Sequence, residues 1–339
     1  MRNLRVITIG VVLGMLLSTQ AYAEKTLRVA TWLPPTHLMN AVVLTTWGEW
    51  VEKATDGHVK IKLEYGLGHP KSLIDLVQDG AVDAAWTYHG YLPGRFKLTQ
   101  LPELPLHGIG PEAASVAHWR INEKYLSKAG EHDGVIVAGL FTHGPGQIHM
   151  REPIESLADM KGKKIRVGGG IQGEIGKRMG IEGVPAPGSK VYEILSQGVA
   201  DGVFMPMEVK KSLRIKEVAP YTYKFPQGMY LGSFGLFLNE DFMAGLSDHD
   251  REAIMSVSGE KLSRMAGAAW GKADQIGEDD ARASGNTIVQ ANDAMLADFA
   301  KLAEGMDADW IERVKDRNID ARAALKEFRE IAKAVQSGG

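Results

Sequence analysis

Two stretches of this chain carry one pattern, and that pattern fits a layered α/β fold better than any other. "LIDLVQDGAVDAAW" (73–86) and "VYEILSQGVADGVF" (191–204) each run from an apolar helix through Gln and Gly to Asp and a short apolar strand. The spacing predicts the same helix–glycine–strand unit twice. Two copies of one unit predict two similar lobes facing a cleft. Small molecules bind in such clefts, at the carboxyl ends of parallel strands.

The flanking sequence agrees. "KTLRVATW" (25–32) and the strictly alternating "HVKIKLEY" (58–65) read as strands, with a helical "AVVLTTWGEWVEKA" (41–54) between them. Strand, helix, strand, helix, strand in that order predicts parallel pairing with crossover helices. The same grammar resumes from "DGVIVAGLFTHG" (133–144) through "NEDFMAGL" (239–246). After about Glu252 the pattern is helical, with two long segments to Gln336 separated near "EGMDAD" (304–309).

Residues 1–23 carry Arg2 and Arg5, an apolar run from Val6 to Leu17, and a small-x-small ending at Ala21–Ala23. These are the three regions of a secretory signal, with cleavage expected after Ala23 and release into the periplasm. The apolar run is too short to span a bilayer comfortably. Removing 23 of 339 residues leaves 316, enough for two domains, and loses two arginines, which takes the net charge from −3 to −5. That sign argues against a nucleic-acid partner. With no cysteine, disulfides, thiolate metal sites and thiol catalysis are all excluded.

"KKIRVGGGIQG" (163–173) contains a literal G-x-G-x-x-G at Gly168, Gly170 and Gly173. A dinucleotide site is nevertheless a poor reading. Its strand should be a continuous apolar run, whereas this one is Lys-Lys-Ile-Arg-Val in mid-chain. "GLGHPKS" (66–72) has a proline where a phosphate loop needs glycine, and there is no H-E-x-x-H or G-x-S-x-G. Arg166 is the informative residue. Alternation sets it opposite Ile165 and Val167, at the carboxyl end of its strand, where a guanidinium can hold a carboxylate through two parallel hydrogen bonds. The glycines let backbone approach a ligand, with Gly168 and its neighbours offering amide donors.

"ADMKGKKIRV", "VYEILSQGVADG", "LVQDGAVDAAW" and "YLPGRFKLTQLPELPL" together resemble the periplasmic substrate-binding proteins of TRAP transporters, the DctP family, from about Leu27 to the C-terminal helices. The resemblance implies a two-lobed periplasmic binding protein fold, each lobe a mainly parallel sheet flanked by helices, with long C-terminal helices. It implies lobe I over 24–145 with roughly 232–265 returning to it, and lobe II over 146–231 with roughly 266–339 bridging. It also implies that Arg166 clamps a ligand carboxylate, that no catalysis, cofactor or metal is involved, and that a monomeric receptor docks on membrane permease subunits driven by an ion gradient. An exported α/β enzyme or a sensor subunit for the same acids is the alternative.

Three departures from the family pattern bear on the ligand. Twenty residues before Arg166, where many members carry a second arginine, stands "THGPGQ"; a usual cover aromatic is Gly188; and Met205 takes the place of an asparagine. The expected ligand is therefore a small organic acid, a monocarboxylate with an apolar or aromatic part, with sulfonate also open. Trp32, Trp86, Tyr88, Phe204 and Phe234, all at or near strand ends, are candidate walls. Glu208 is a candidate contact for a hydroxyl or cationic group.

Overall fold

The protein is described by a computed structural model covering residues 24–226 and 228–338, so the expected leader lies outside the described residues. Its strands, in chain order, are β1 (Lys25–Thr31), β2 (Val59–Tyr65), β3 (Ala84–Tyr88), β4 (Ile136–Thr142), β5 (Gln147–Met150), β6 (Lys164–Val167), β7 (Glu182–Pro185), β8 (Gly202–Met205), β9 (Tyr221–Lys224), β10 (Ser233–Leu238) and β11 (Thr287–Gln290). They form two sheets, β2-β1-β3-β10-β4 and β11-β9-β5-β8-β6-β7.

Taken from its other end, the second sheet repeats the order of the first. β2-β1-β3 and β7-β6-β8 are parallel triplets. Each is followed by an antiparallel strand supplied from the far side of a crossover, β10 in lobe I and β5 in lobe II. The registers match as well. Val29 and Ala30 face Ala84 and Ala85, while Ile165 and Arg166 face Gly202 and Val203, the corresponding residues of the repeated stretch. Arg166 thus holds in lobe II the position that Ala30 holds in lobe I. The repeated helices, α2 (Leu73–Gln78) and α5 (Val191–Ser196), both stop before a left-handed glycine, Gly80 (φ 67°) and Gly198 (φ 70°). Glycine enters that region without a Cβ penalty, which lets the chain turn at once into β3 or β8.

The sheets are mixed, with a parallel majority as expected. Five of the nine strand pairings among the described residues are parallel. The antiparallel ones all involve the strands that carry the chain between lobes. β5, β7 and β9 are four residues each and lie beside Gly or Pro, too short for alternation to reveal them in the sequence.

The other helices relevant here are α1 (Thr45–Ala54), α3 (Pro111–Ile121), α4 (Gly170–Met179), α6 (Val209–Ser212), α7 (Glu240–Ala244), α8 (Asp248–Ser256), α9 (Gly259–Ala283), α10 (Asp293–Ala303), α11 (Met306–Arg313) and α12 (Ala321–Gln336). The tail expected as two long helices is α9 to α12 with β11 inserted. Caps explain several starts: Ser247, Asn292 and Asp320 each accept a backbone N–H three residues ahead. α9 has 25 residues, about 37 Å at the usual rise, and packs on α3 and β4 in lobe I and on α6 in lobe II.

Two apolar cores hold the lobes. One joins Leu27, Val29, Trp47, Trp86 and Phe141 beneath the first sheet. The other joins Ile165, Ile175 and Phe204 of lobe II with Leu98 and Leu101 and with Trp310 and Phe328 of the C-terminal helices. The segment around Leu98–Glu103 is therefore packed on lobe II although it follows β3 of lobe I. No helix of the described residues is long and apolar enough to cross a membrane.

Candidate functional site

Between the lobes lies a cavity with about 460 Å3 of space free of protein atoms. Strand ends from both lobes build it. From lobe I come Trp32, just past β1, and Tyr88, which closes β3; from lobe II come Arg166 of β6 and Met205 of β8.

Arg166 is 3% exposed. Its Nε and Nη2 both donate to the carbonyl of Ala186, at 2.9 and 2.6 Å, and Nη2 lies 3.5 Å from the Tyr91 hydroxyl. No carboxylate of the described residues forms an ion pair with it. A buried guanidinium held in place on one side and lacking an anion on the other can hold one, since buried charge is stable only when paired. Tyr91 supports this reading. Its oxygen accepts from the Gly188 N–H at 2.7 Å as well as facing Arg166, which leaves its own O–H to give to a ligand. Burial raises the Tyr91 pKa, so that proton stays in place.

The walls are aromatic. Trp32 meets Tyr91 edge-on at 5.5 Å, Tyr88 meets Tyr91 at 5.1 Å and Phe234 at 5.2 Å, and Phe234 stacks on Trp270 at 5.7 Å. Gly188 leaves room for the Trp32 ring, 3.4 Å from where a Cβ would stand, so the cover comes from the opposite lobe. Likewise a Cβ at Gly146, twenty residues before Arg166, would overlap the Tyr230 ring. The place of a second arginine is thus filled by an aromatic. Leu33, Met205, Pro206 and Leu213 complete the apolar lining.

Polar groups are few. His143 takes a hydrogen bond from the Gly232 N–H at its Nε2 and gives one from Nδ1 to Gly144 O; burial lowers its pKa to about 4, so it is neutral. Glu208, 2% exposed, accepts from the Ser212 hydroxyl. Its backbone N–H donates to Asp274 of α9 at 2.9 Å. Burial pushes the Asp274 carboxyl well above the usual range. Trp270 precedes Asp274 by one helical turn, so α9 supplies a wall and anchors Glu208 from one face. The indole nitrogens of Trp32 and Trp270 and Nε2 of His37 are buried with no protein hydrogen-bond acceptor.

The lobes are closed. Tyr88 donates to Gly169 O at 3.3 Å and Gly188 N–H to the Tyr91 oxygen at 2.7 Å, both between the lobes.

Of the residues singled out from sequence, Arg166, Trp32, Tyr88, Met205, Glu208 and Phe234 line the cavity. Trp86 and Phe204 do not. They occupy equivalent positions in the two repeats: the pleat turns Phe204 into the core, opposite Met205, whereas Trp86 shares the face of Tyr88 but lies two residues further back along β3, inside the core. Trp86 stands behind the wall, 4.9 Å from Trp32 and 5.9 Å from Phe234. Gly168 lies beside Arg166, but its N–H is taken by the Gln172 side chain and that of Ile171 by Glu103. The amides at this helix start therefore serve the protein and not an anion. Sequence reasoning missed His37, Tyr91, His143, Gln172, Tyr230 and Trp270. No local signal marks them: His37, Tyr91, His143 and Tyr230 lie outside the strands and α-helices, Trp270 comes from α9, and Gln172 is a polar residue in the first turn of α4.

Residues 29–313 match the family model for bacterial extracellular solute-binding protein family 7, DctP. The chain belongs to this family. Three solved DctP-like structures have the same architecture. A TRAP periplasmic solute-binding protein from Bordetella bronchiseptica, with bound (R)- and (S)-mandelate, is 37% identical, with 92% of this chain and 99% of that chain covered at a TM-score of 0.89. One from Rhodoferax ferrireducens, in complex with copurified benzoate, is 28% identical over 93% and 99%, at 0.86. A marine-metagenome TRAP protein specific for aromatic acid ligands, in complex with 3-hydroxybenzoate, is 29% identical over 92% and 99%, at 0.85. Family and relatives are periplasmic substrate-binding receptors, so this DctP protein is a receptor and not an enzyme.

Proposed function

We propose that this protein captures an aromatic monocarboxylate in the periplasm and delivers it to the membrane permease of a TRAP transporter. The observation that carries the reading is Arg166, buried without an acidic partner at one side of a cavity walled by Trp32, Tyr88, Tyr91, Phe234 and Trp270. The guanidinium and the Tyr91 hydroxyl suit one carboxylate; the flat apolar walls suit a ring. The aromatic acids bound by the three relatives support the same class.

Glu208 supports one carboxylate rather than two. A second carboxylate in the cavity would lie near a buried like charge, at a cost of several kcal/mol in so dry a site. A sulfonate meets the guanidinium equally well and stays in the class.

The leader fits export with cleavage after Ala23. A single closed chain with a complete cavity fits a monomer that presents its closed form to the permease. Ligand contacts to both lobes at once would drive closure as a population shift. A sensor subunit gains no support from any observed surface.

The test is a thermal-shift screen of the mature protein beside Arg166→Ala, over aromatic and aliphatic monocarboxylates, sulfonates, dicarboxylates and sugar acids. A ligand at a hundred times its Kd stabilises by about 2.7 kcal/mol. Aromatic monocarboxylates should shift the wild type clearly and the variant not at all. A response confined to dicarboxylates or sugar acids, or one that survives Arg166→Ala, would overturn the reading.

A further inference from the structure

A second polar station lies in the cavity, formed by His37 and Glu208. His37 is 1% exposed and Glu208 2%. Two chains of ring contacts separate this station from Arg166. One passes from Tyr91 through Trp32 and Trp86 to His37, the other from Tyr91 through Tyr88, Phe234 and Trp270. The Met39 N–H donates to His37 Nδ1 at 3.2 Å, so that nitrogen is an acceptor and the ring proton sits on Nε2. Nε2 has no hydrogen-bond partner, although Glu208 Oε2 lies 3.7 Å away. That separation is too long for a direct bond. It is short enough for one oxygen atom to stand within hydrogen-bond distance of both.

A group in that gap must accept from His37 Nε2–H and donate to the Glu208 carboxylate. A hydroxyl does both through one atom. An ammonium could pair with Glu208 but would turn its protons on the His37 N–H. A carboxylate could accept from His37 but would face the Glu208 charge. A bare ring edge would leave the buried His37 N–H without a partner, which costs more than forming the bond returns, while Glu208 would keep only the Ser212 hydroxyl as a side-chain donor. The Trp270 indole N–H, 5.4 Å ring to ring from His37 and itself unpartnered, adds a donor on the same side.

We propose that His37 and Glu208 together read a hydroxyl on the ligand, so that the preferred solute is a hydroxylated aromatic monocarboxylate, bound by its carboxylate at Arg166 and by its hydroxyl at this pair. The inference rests on the aromatic-acid reading of the cavity and adds its specificity determinant. Glu208 and His37 come from different lobes, so a ligand with this hydroxyl also ties the lobes together at a second point.

Calorimetric titration tests this with benzoate and phenylacetate, each beside its ortho, meta and para hydroxy isomers. The variants are Glu208→Gln, Glu208→Met and His37→Phe, and the melting temperature of each without ligand checks that it folds. In the wild type at least one hydroxy isomer should bind about 10-fold or more tighter than its parent acid, the usual worth of a hydrogen bond to a charged group. That ratio should fall toward one in Glu208→Met and in His37→Phe. Glu208→Gln, which keeps an acceptor without the charge, should lie between. If Glu208→Met does not fold, the other two variants carry the comparison.

The proposal is overturned if every hydroxy isomer binds no better than its parent, or if the ratio persists in folded variants. Parent acids that bind through Arg166 without hydroxyl preference would remove this inference alone. No binding by any aromatic acid would remove it together with the function it rests on.

Discussion

At the scale of single residues, Arg166 is defined by what surrounds it more than by its charge. Two of its N–H groups are spent on Ala186 O, which fixes the plane of the guanidinium and turns its remaining donors toward Tyr91 and the cavity. Lysine cannot reproduce that division, because a single ammonium has no planar fork to anchor on one side while donating on the other. Arg166→Lys should therefore bind its best aromatic acid about 10- to 100-fold more weakly than the wild type, although the charge is kept. Titration calorimetry at fixed pH measures this, and near-wild-type affinity would show that charge alone holds the carboxylate. The residues that distinguish this pocket are small or apolar ones. A Cβ at Gly146 would overlap the Tyr230 ring, and one at Gly188 would stand in contact with Trp32 and Met205. The sequence showed that polar groups were missing there, but not which rings replaced them.

At the scale of elements, the turn between β6 and α4 controls closure. Gly169 has φ 104° and ψ −163°, a region open in practice only to glycine. A Cβ there would also overlap the carbonyl oxygen of Gly90, on the opposite lobe. The overlap exists only when the lobes meet, so a methyl group penalises the closed form. Gly169→Ala should weaken ligand binding by about 10-fold or more, in line with roughly 1–3 kcal/mol of strain. The liganded variant should also keep a larger radius of gyration than the liganded wild type by small-angle scattering. Unchanged affinity together with an unchanged radius would mean that the turn does not gate the lobes. Of the three glycines that resemble a nucleotide motif, a Cβ at Gly168 or Gly170 would crowd Tyr88 of the opposite lobe, whereas at Gly173 it would meet nothing within 4 Å, and the nearby amides are satisfied by Gln172 and Glu103.

At the scale of the whole molecule, burial has produced an unusual set of neutral histidines. Six are held below their ordinary pKa, chiefly by desolvation: His89, His107, His118, His132, His143 and His149. Those with values fall to about 4 or, for His118, about 3. Such groups stabilise the fold fully above the unfolded value near 6.5, and the contribution is lost as pH falls through about 4. Burial raises four carboxyls, Asp83, Glu103, Glu131 and Asp274, with Glu103 reaching about 7. Their contribution has the opposite sign: present below the unfolded value near 4, and lost as pH rises through the raised one. Six imidazoles against four carboxyls leave a net loss on acidification. The imidazoles that carry values titrate between about 6.5 unfolded and about 3 to 4 folded, so much of their loss falls between pH 7.5 and 5. The melting temperature without ligand should be at least about 5 °C lower at pH 5 than at pH 7.5. A curve that is flat or rises on acidification would show that the carboxyls dominate.

The sequence by itself determined the repeated helix–glycine–strand unit, the parallel triplets built on it, the position of Arg166 at a strand end and the shortage of polar groups around it. These are local matters of periodicity, glycine placement and residue type, and they are readable without knowing what packs on what. Tertiary structure alone decided which rings line the cavity. Trp86 and Phe204 look as suitable as Tyr88 and Phe234, yet Phe204 alternates away from the cavity and Trp86 lies behind the wall that Tyr88 and Phe234 form at the strand ends. Tertiary structure also decided that His37 would meet Glu208, 171 positions apart in the chain, across a gap of 3.7 Å. Lobe closure and the long α9 set that distance, and no periodicity in either segment encodes it.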